Sequence, residues 1–434
     1  MHDIKPQSRH PFSATAVAAS RGAAHASEAE ADARAAGRFI TRLPLLDTDC
    51  RIVGYELQIR PHTPLPVLPG AMSPAQSQDE ALLTSVIDLD FQQALGDKLT
   101  LLRLDPATLG NPLLQMLKPE RTLLLLAAGC SVAVSEHAAT LARQGFGLVW
   151  DGLPATPAGQ AHGYVHIDTR QHNAMSLGHQ TILARQRGAG RLIAGHVDTP
   201  EVYEACKRLS FDLVQGYFFT QASAAPGREL HASRLVIMDL LNLVMGHAEF
   251  PAIEAKFKLD AALSYKLLRF INSPAVGLRH PIKSIGQALV MLGHDQLYRW
   301  LTLLLFTHGQ TDAHSRALLK NAVVRARLTE TLGEPQLSRG ERDGLFIAGI
   351  LSMLDVLLGL PMEQALARLQ LPDPIVDALI AGTGPYALYL QLAQACEQFD
   401  QERIALLCER AGLTPDAVNL AHVNALIWSE GLEG

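Results

Sequence analysis

Between Arg38 and Phe219 the apolar residues fall in short runs: RFITRLPLL, RIVGYELQIR, KLTLLRLD, RTLLLLA, GFGLVWDG, YVHIDT, RLIAGHV and DLVQGYFF. RIVGYELQIR alternates as a half-buried strand does and places Glu56 and Arg60 on one of its faces. After this opening pair the runs recur about every 20 to 25 residues with helix-like stretches between them, which is the rhythm of repeated βα units around a parallel sheet. Their near-continuous apolarity suits strands covered on both faces. A hairpin followed by six such units predicts a small or incomplete (β/α) barrel, and the same period is compatible with an open doubly wound sheet.

The pattern changes at QASAAPGRE, a small, polar stretch broken by Pro226 and Gly227 that reads as a linker. Beyond it, SRLVIMDLLNLVMGH, DAALSYKLLRFIN, SIGQALVMLG, DQLYRWLTLLLF and RALLKNAVVRARLTETLG carry apolar residues at three- and four-residue spacing. No strand is predicted there. Residues 1–37 hold almost no large apolar side chains and are expected to be a disordered tail. The expected organisation is a tail over 1–37, an α/β domain over 38–221, a linker over 222–231 and an all-α domain over 232–434.

Composition narrows the class. The 434 residues are 48% apolar and 18% charged, as in a packed globular protein. A net charge of −6 gives no general reason for nucleic acid to bind. Five scattered cysteines without a C-x-x-C pair suggest neither a zinc knuckle nor a disulfide framework. The longest apolar runs are too short to span a bilayer or carry Asp355 midway, and the N-terminus lacks a compact apolar core of the signal-peptide kind. A cytoplasmic protein without membrane contact is expected.

In a (β/α) barrel the chemistry sits at the C-terminal ends of the strands. Those positions hold Glu56, Arg103, Asp151, His166 with Asp168, His196 with Asp198, and Gln215. Two His and two Asp on neighbouring strand ends could form a transition-metal site, but no strict ligand spacing supports it, and hydrogen-bonded rim residues are the preferred reading.

GYELQIR, LVWDG, YVHID and AGHVDTPEVYEACKRLSFDLVQGYFF resemble the successive motifs of EAL domains, the bacterial cyclic di-GMP phosphodiesterases. The resemblance covers roughly 38–221 and implies a TIM-type barrel in which two divalent cations, held by Glu, Asn and Asp, activate a water against a phosphodiester. Carried across, the motif Glu is Glu56 and its Arg is Arg60. The metal-binding Asn position holds Arg103, one of the paired aspartates remains as Asp151 and the other is Gly152. The Lys of K-I-D is His166, with Asp168 kept. The first Glu of A-E-G-V-E is Gly195 and the second is Asp198. The resemblance then implies too few oxygen ligands for hard cations. Glu56 is expected in an ion pair with Arg60 or Arg103, with no metal, no cofactor and no catalytic residue.

The segment from Leu240 to Phe306, with Asp260, Asn272 to Pro274 and the Ile-x-x-A-x-x-x-L-G frame, resembles an HDOD domain. His294 and Asp295 make a His-Asp dipeptide, but they fall outside the place of a catalytic HD pair, where Ser352 and Met353 stand instead. They are expected to open a helix. RALLKNAVVRARLTETLG reads as a solvated amphipathic helix. Tyr217, Phe218 and Phe219 are expected to pack on the first HDOD helix, around Leu235 to Leu243. The two resemblances together imply an EAL–HDOD signalling adaptor that is not an enzyme and works through a protein partner on the HDOD domain, with weak or no cyclic di-GMP binding and a homodimer left open. A non-hydrolysing cyclic di-GMP receptor and a weak phosphodiesterase are the alternatives.

Overall fold

The computed structural model describes residues 38–61, 73–127, 132–153, 163–221, 232–273, 276, 281–307, 313–398 and 400–430. The expected tail and linker lie outside them. All eight apolar runs form strands: β1 (Arg38–Asp47), β2 (Ile52–Pro61), β3 (Leu99–Arg103), β4 (Thr122–Ala127), β5 (Gly147–Asp151), β6 (Tyr164–Asp168), β7 (Arg191–Gly195) and β8 (Leu213–Gln215). They close into a barrel in sequence order. The expectation of a small or incomplete barrel is corrected by β1, which pairs antiparallel with β2 on one side and with β8 on the other, Leu45 opposite Gln215. From β2 to β8 all neighbours are parallel.

Alternation along the strands fills the barrel with Leu45, Leu101, Leu123, Leu125, Val149, Ile193 and Leu213, a cluster separate from the outer core. The opposite faces carry residues such as Leu57, Leu102, Leu124 and Leu192 into the main core. Among the described residues, four longer helices lie between strands, α1 (Pro74–Asp88), α2 (Val132–Arg143), α3 (Ala174–Gln186) and α4 (Pro200–Arg208), with a short helical turn at 91–94. Their starts are set locally. Ser73 and Asn173 each build a capping box, and Thr199 caps α4 ahead of Pro200.

The second half is helical, with no strand among its described residues: α5 (Ala232–Met245), α6 (Phe250–Lys258), α7 (Ala261–Ile271), α8 (Ile285–Thr307), α9 (Ala313–Leu332), α10 (Arg339–Leu351), α11 (Ala387–Gln398), α12 (Gln401–Arg410) and α13 (Pro415–Glu430), with short helical turns at 354–358, 362–366 and 373–376. Helix α9 lies at its centre, packed on α10, α11 and α13. It was expected to be a solvated amphipathic helix; instead Lys320, Asn321 and Arg325 on it are buried. The reason lies far away in sequence. Arg325 meets Glu397 of α11, and Lys320 meets Glu430 of α13.

The described residues pack as one compact unit. Strand β1 rests on α11 and α13, so the start of the barrel is covered by the end of the chain. Ile40 N donates to Asn419 Oδ1 at 2.8 Å, and Gln401 Nε2 donates to the Phe39 carbonyl at 3.3 Å. Arg42, 1% exposed, donates to His422 Nε2 and to Asn321 Oδ1. Burial and the adjacent guanidinium hold His422 well below the ordinary histidine pKa, which leaves its nitrogen free to accept. The aromatic run after β8 does not use α5 as its main support. Its 3-10 turn packs on α4 and α9, with Phe218 stacked on Tyr203 at 4.1 Å and edge-on to His314 of α9.

Candidate functional site at the barrel mouth

The C-terminal strand ends converge, and five of the eight candidate residues join in one hydrogen-bonded layer. Arg103 at the end of β3 donates from Nε to Glu56 Oε1 at 3.4 Å and from Nη1 to Asp151 Oδ2. Asp151 Oδ1 accepts from His166 Nδ1 at 2.7 Å, His166 Nε2 faces Gln215 Oε1 at 3.2 Å, and Gln215 Nε2 donates to Glu56 Oε2. The layer closes on itself. Gln58, at the third position of the motif, adds a donor to Glu56 Oε1 at 2.7 Å.

The chemistry of the layer follows from its partners. Glu56, His166 and Gln215 are fully buried, so each polar atom needs a partner. Both nitrogens of His166 face oxygens, Asp151 Oδ1 and Gln215 Oε1, and the layer sets two carboxylates against the Arg103 guanidinium. Burial alone would raise the Asp151 pKa; the hydrogen bond from His166 and the charge of Arg103 outweigh it and hold the carboxyl at about 2. Gly195 belongs to the same construction. A Cβ there would land on the His166 ring, so the large residue on β6 and the missing side chain on β7 are one compensated pair.

The remaining candidates sit at the rim. Asp168 is bound by Arg170, whose Nη2 donates to Oδ2 at 2.8 Å, and lies 3.5 Å from His196 Nδ1. Burial would raise Asp168, but the bonds from Arg170 lower it. Burial lowers His196, with Asp168 opposing. Asp198 faces the mouth without joining the layer. The Arg60 side chain lies outside the described residues, so of the two partners expected for Glu56 it is Arg103 that is found.

Above the layer opens a cavity of about 740 Å³, within the roughly 300–1,000 Å³ of small-molecule sites. Arg103, Asp151, Asp168, Arg170 and Asp198 line it from the barrel, and Arg325, Glu397 and Gln398 line it from α9 and α11. Sequence reading missed Arg170, Arg325 and Glu397 as mouth residues; their only signal was charge within otherwise apolar helical or strand-end segments. The divalent cations implied by the EAL resemblance do not fit the layer as arranged. The Arg103 guanidinium bonds both carboxylates, and no group of three His, Cys, Asp or Glu among the described residues converges to hold a metal ion.

The family model of the HDOD domain matches residues 235–368. These residues are an HDOD domain. Over nearly the whole chain the protein is similar to the cyclic di-GMP phosphodiesterase CdgJ of Vibrio cholerae, 25% identical over 402 residues that make up 91% of this chain and 93% of that protein. The uncharacterized protein YuxH of Bacillus subtilis is 28% identical over 243 residues, 55% of this chain and 59% of that one. Among solved structures, the EAL enzyme Bd1971 in its cAMP- and cyclic di-GMP-bound form aligns with a TM-score of 0.36 and 14% identity over 44% of this chain and 64% of that chain. The chain thus spans less than two thirds of YuxH and of the Bd1971 structure.

The TIM-type barrel and the HDOD domain that the resemblances imply are both found, in that order along the chain. The expectation that the chain is not an enzyme is overturned: the relative that spans 91% of it is named a phosphodiesterase. Of the four carboxylates that the sequence keeps at these strand ends, Asp151, Asp168 and Asp198 line the cavity, and Glu56 lies buried in the layer beneath it. Among the described residues no helix is long and apolar enough to cross a membrane.

Proposed function

We propose that the chain is a cyclic di-GMP signalling protein of EAL–HDOD layout whose output is the docking of a protein partner on the HDOD domain. One observation carries the reading: the barrel mouth is walled jointly by the barrel arginines and by the Arg325–Glu397 pair of the helical half. Anything that alters the mouth therefore touches α9 and α11, and through them the packing of the HDOD helices. Full-length protein cross-linked to its captured partner is the test. Cross-links mapping to residues 232–430 are expected, and a specific partner whose cross-links map to the barrel alone overturns the reading.

A second reading, cyclic di-GMP as the ligand of the mouth, is favoured by the size of the cavity and by Arg103. Its Nε and Nη1 are committed to carboxylates, leaving Nη2 to meet a phosphodiester oxygen. That prior commitment and the nearby acidic groups keep the affinity weak. The activity in the name of CdgJ belongs in the same experiment. Titration of cyclic di-GMP by calorimetry, with magnesium and with manganese, is paired with a count of linear dinucleotide released against a Glu56→Ala control. Saturable heat lost in Arg103→Ala supports the dinucleotide reading, and product above the control extends it to hydrolysis.

A further inference from the structure

The helical half encloses a second cavity, of about 190 Å³, that shares no lining residue with the barrel mouth. It lies between α5, the middle of α8, α10 and the helical turn at 373–376. Helix α8 is kinked at Gly293, whose φ of 68° and ψ of 178° interrupt the helix, so that His294 and Asp295 open its second segment at the lip of the cavity. The His-Asp dipeptide thus does begin a helical segment, and the kink aims it at a cavity.

The polar groups around this cavity are the Asp295 and Asp343 carboxylates, the His247 and His294 rings, the Tyr298 and Tyr386 hydroxyls and the Arg299 guanidinium. His294 Nε2 donates to the Ala248 carbonyl at 3.0 Å. The ring is fixed by stacking on Phe250 at 4.7 Å and lies 5.3 Å from the ring of His247. Asp295 is exposed and has no ion pair among the described residues. Tyr298 is 4% exposed, and its hydroxyl has no hydrogen bond among the described residues. The nearby cation is already occupied. Arg299 donates to both oxygens of Glu330 at 2.7 and 2.8 Å and to Asp343 at 3.1 Å, and it lies 3.6 Å over the Phe346 ring. Val244, Ile347 and Ile375 supply apolar walls.

We propose that this cavity is a binding site for one planar group that presents paired N–H donors on its edge, the chemistry shared by a guanine-type aminopurine and by an amidinium or guanidinium group. Apolar walls take the faces of a flat group. The Asp295 carboxylate accepts two parallel N–H bonds from its edge, in the bidentate geometry carboxylates favour. A volume below the roughly 300 Å³ at which drug-sized sites begin admits a single ring system and excludes an entire dinucleotide.

The test uses the full-length protein and ligand-observed NMR titrations with guanosine and, separately, benzamidine; benzoate serves as the flat anionic control. Saturable binding of guanosine assigns a nucleobase, and saturable binding of benzamidine alone assigns a guanidinium-bearing ligand; either supports the site. Asp295→Asn, an exposed substitution that keeps the fold, is expected to weaken binding about tenfold or more, because an amide cannot accept both bonds. Tyr298→Phe is expected to weaken it as well. Failure of both probes to saturate below about 5 mM, equal binding of benzoate, or indifference to Asp295→Asn overturns the proposal.

Discussion

Glu397 is the carboxylate of a buried cluster that joins the barrel to the helices, and its removal is expected to be among the most costly single substitutions in the protein. Its side chain is 6% exposed and that of Arg325 is 9% exposed. Arg325 donates to it from Nε at 3.1 Å and from Nη2 at 2.6 Å, and Asn321 adds a bond at 3.2 Å. Glu397→Ala leaves the buried Arg325 guanidinium bonded to the Ser352 hydroxyl and without the carboxylate that holds it through two nitrogens. Breaking one such pair costs about 3–5 kcal/mol. Arg325→Met leaves the Glu397 carboxylate its bond from Asn321 and fills the vacated space with an apolar chain, and is expected to cost less. The double variant Arg325→Met, Glu397→Leu removes both charges and is expected to lie above Glu397→Ala in stability, since well-packed apolar replacements of buried pairs are often neutral. Urea unfolding followed by circular dichroism reads the three variants against the parent, with the denaturant slope checked for constancy. A Glu397→Ala variant within about 1 kcal/mol of the parent, or an Arg325→Met variant that is the less stable of the two, would refute the reasoning.

Three further outcomes are expected. Gly195→Ala should displace the His166 ring and cost about 1–3 kcal/mol by overpacking, read by thermal unfolding and by loss of the His166 ring resonances from their native positions; an unperturbed ring refutes the steric pairing. Asp151 is held at about 2, below its unfolded value of 3.8, so its contribution to stability is complete above pH 4 and is lost as pH falls toward 2. Urea midpoints of the parent and Asp151→Asn should therefore converge over that window, and parallel curves count against the layer. Arg103→Ala frees Glu56 and Asp151 from their guanidinium and should raise manganese affinity over the parent in calorimetry; no gain means that Arg103 is not what keeps cations from the mouth.

What the chain order alone determined was the succession of elements and the cast of the mouth. Eight apolar runs with alternating or continuous patterning became eight strands, because strand formation depends on local periodicity and on turn residues that any short window contains. The strand-end rule likewise collected Glu56, Arg103, Asp151, His166 and Gln215 before any contact was known. Closure of the barrel was not legible, since β1 pairs with β8 across the length of the domain and no local signal encodes that partner. The pairing within the layer was equally hidden: Glu56 had two arginines as expected partners, and only the fold brings Arg103 of the neighbouring strand to it. Lys320 and Arg325 read as a solvated face because their sequence neighbours are those of an amphipathic helix. Only the tertiary fold brings Glu430 and Glu397 to them, and a charge is buried or exposed according to whether a countercharge arrives from elsewhere in the chain.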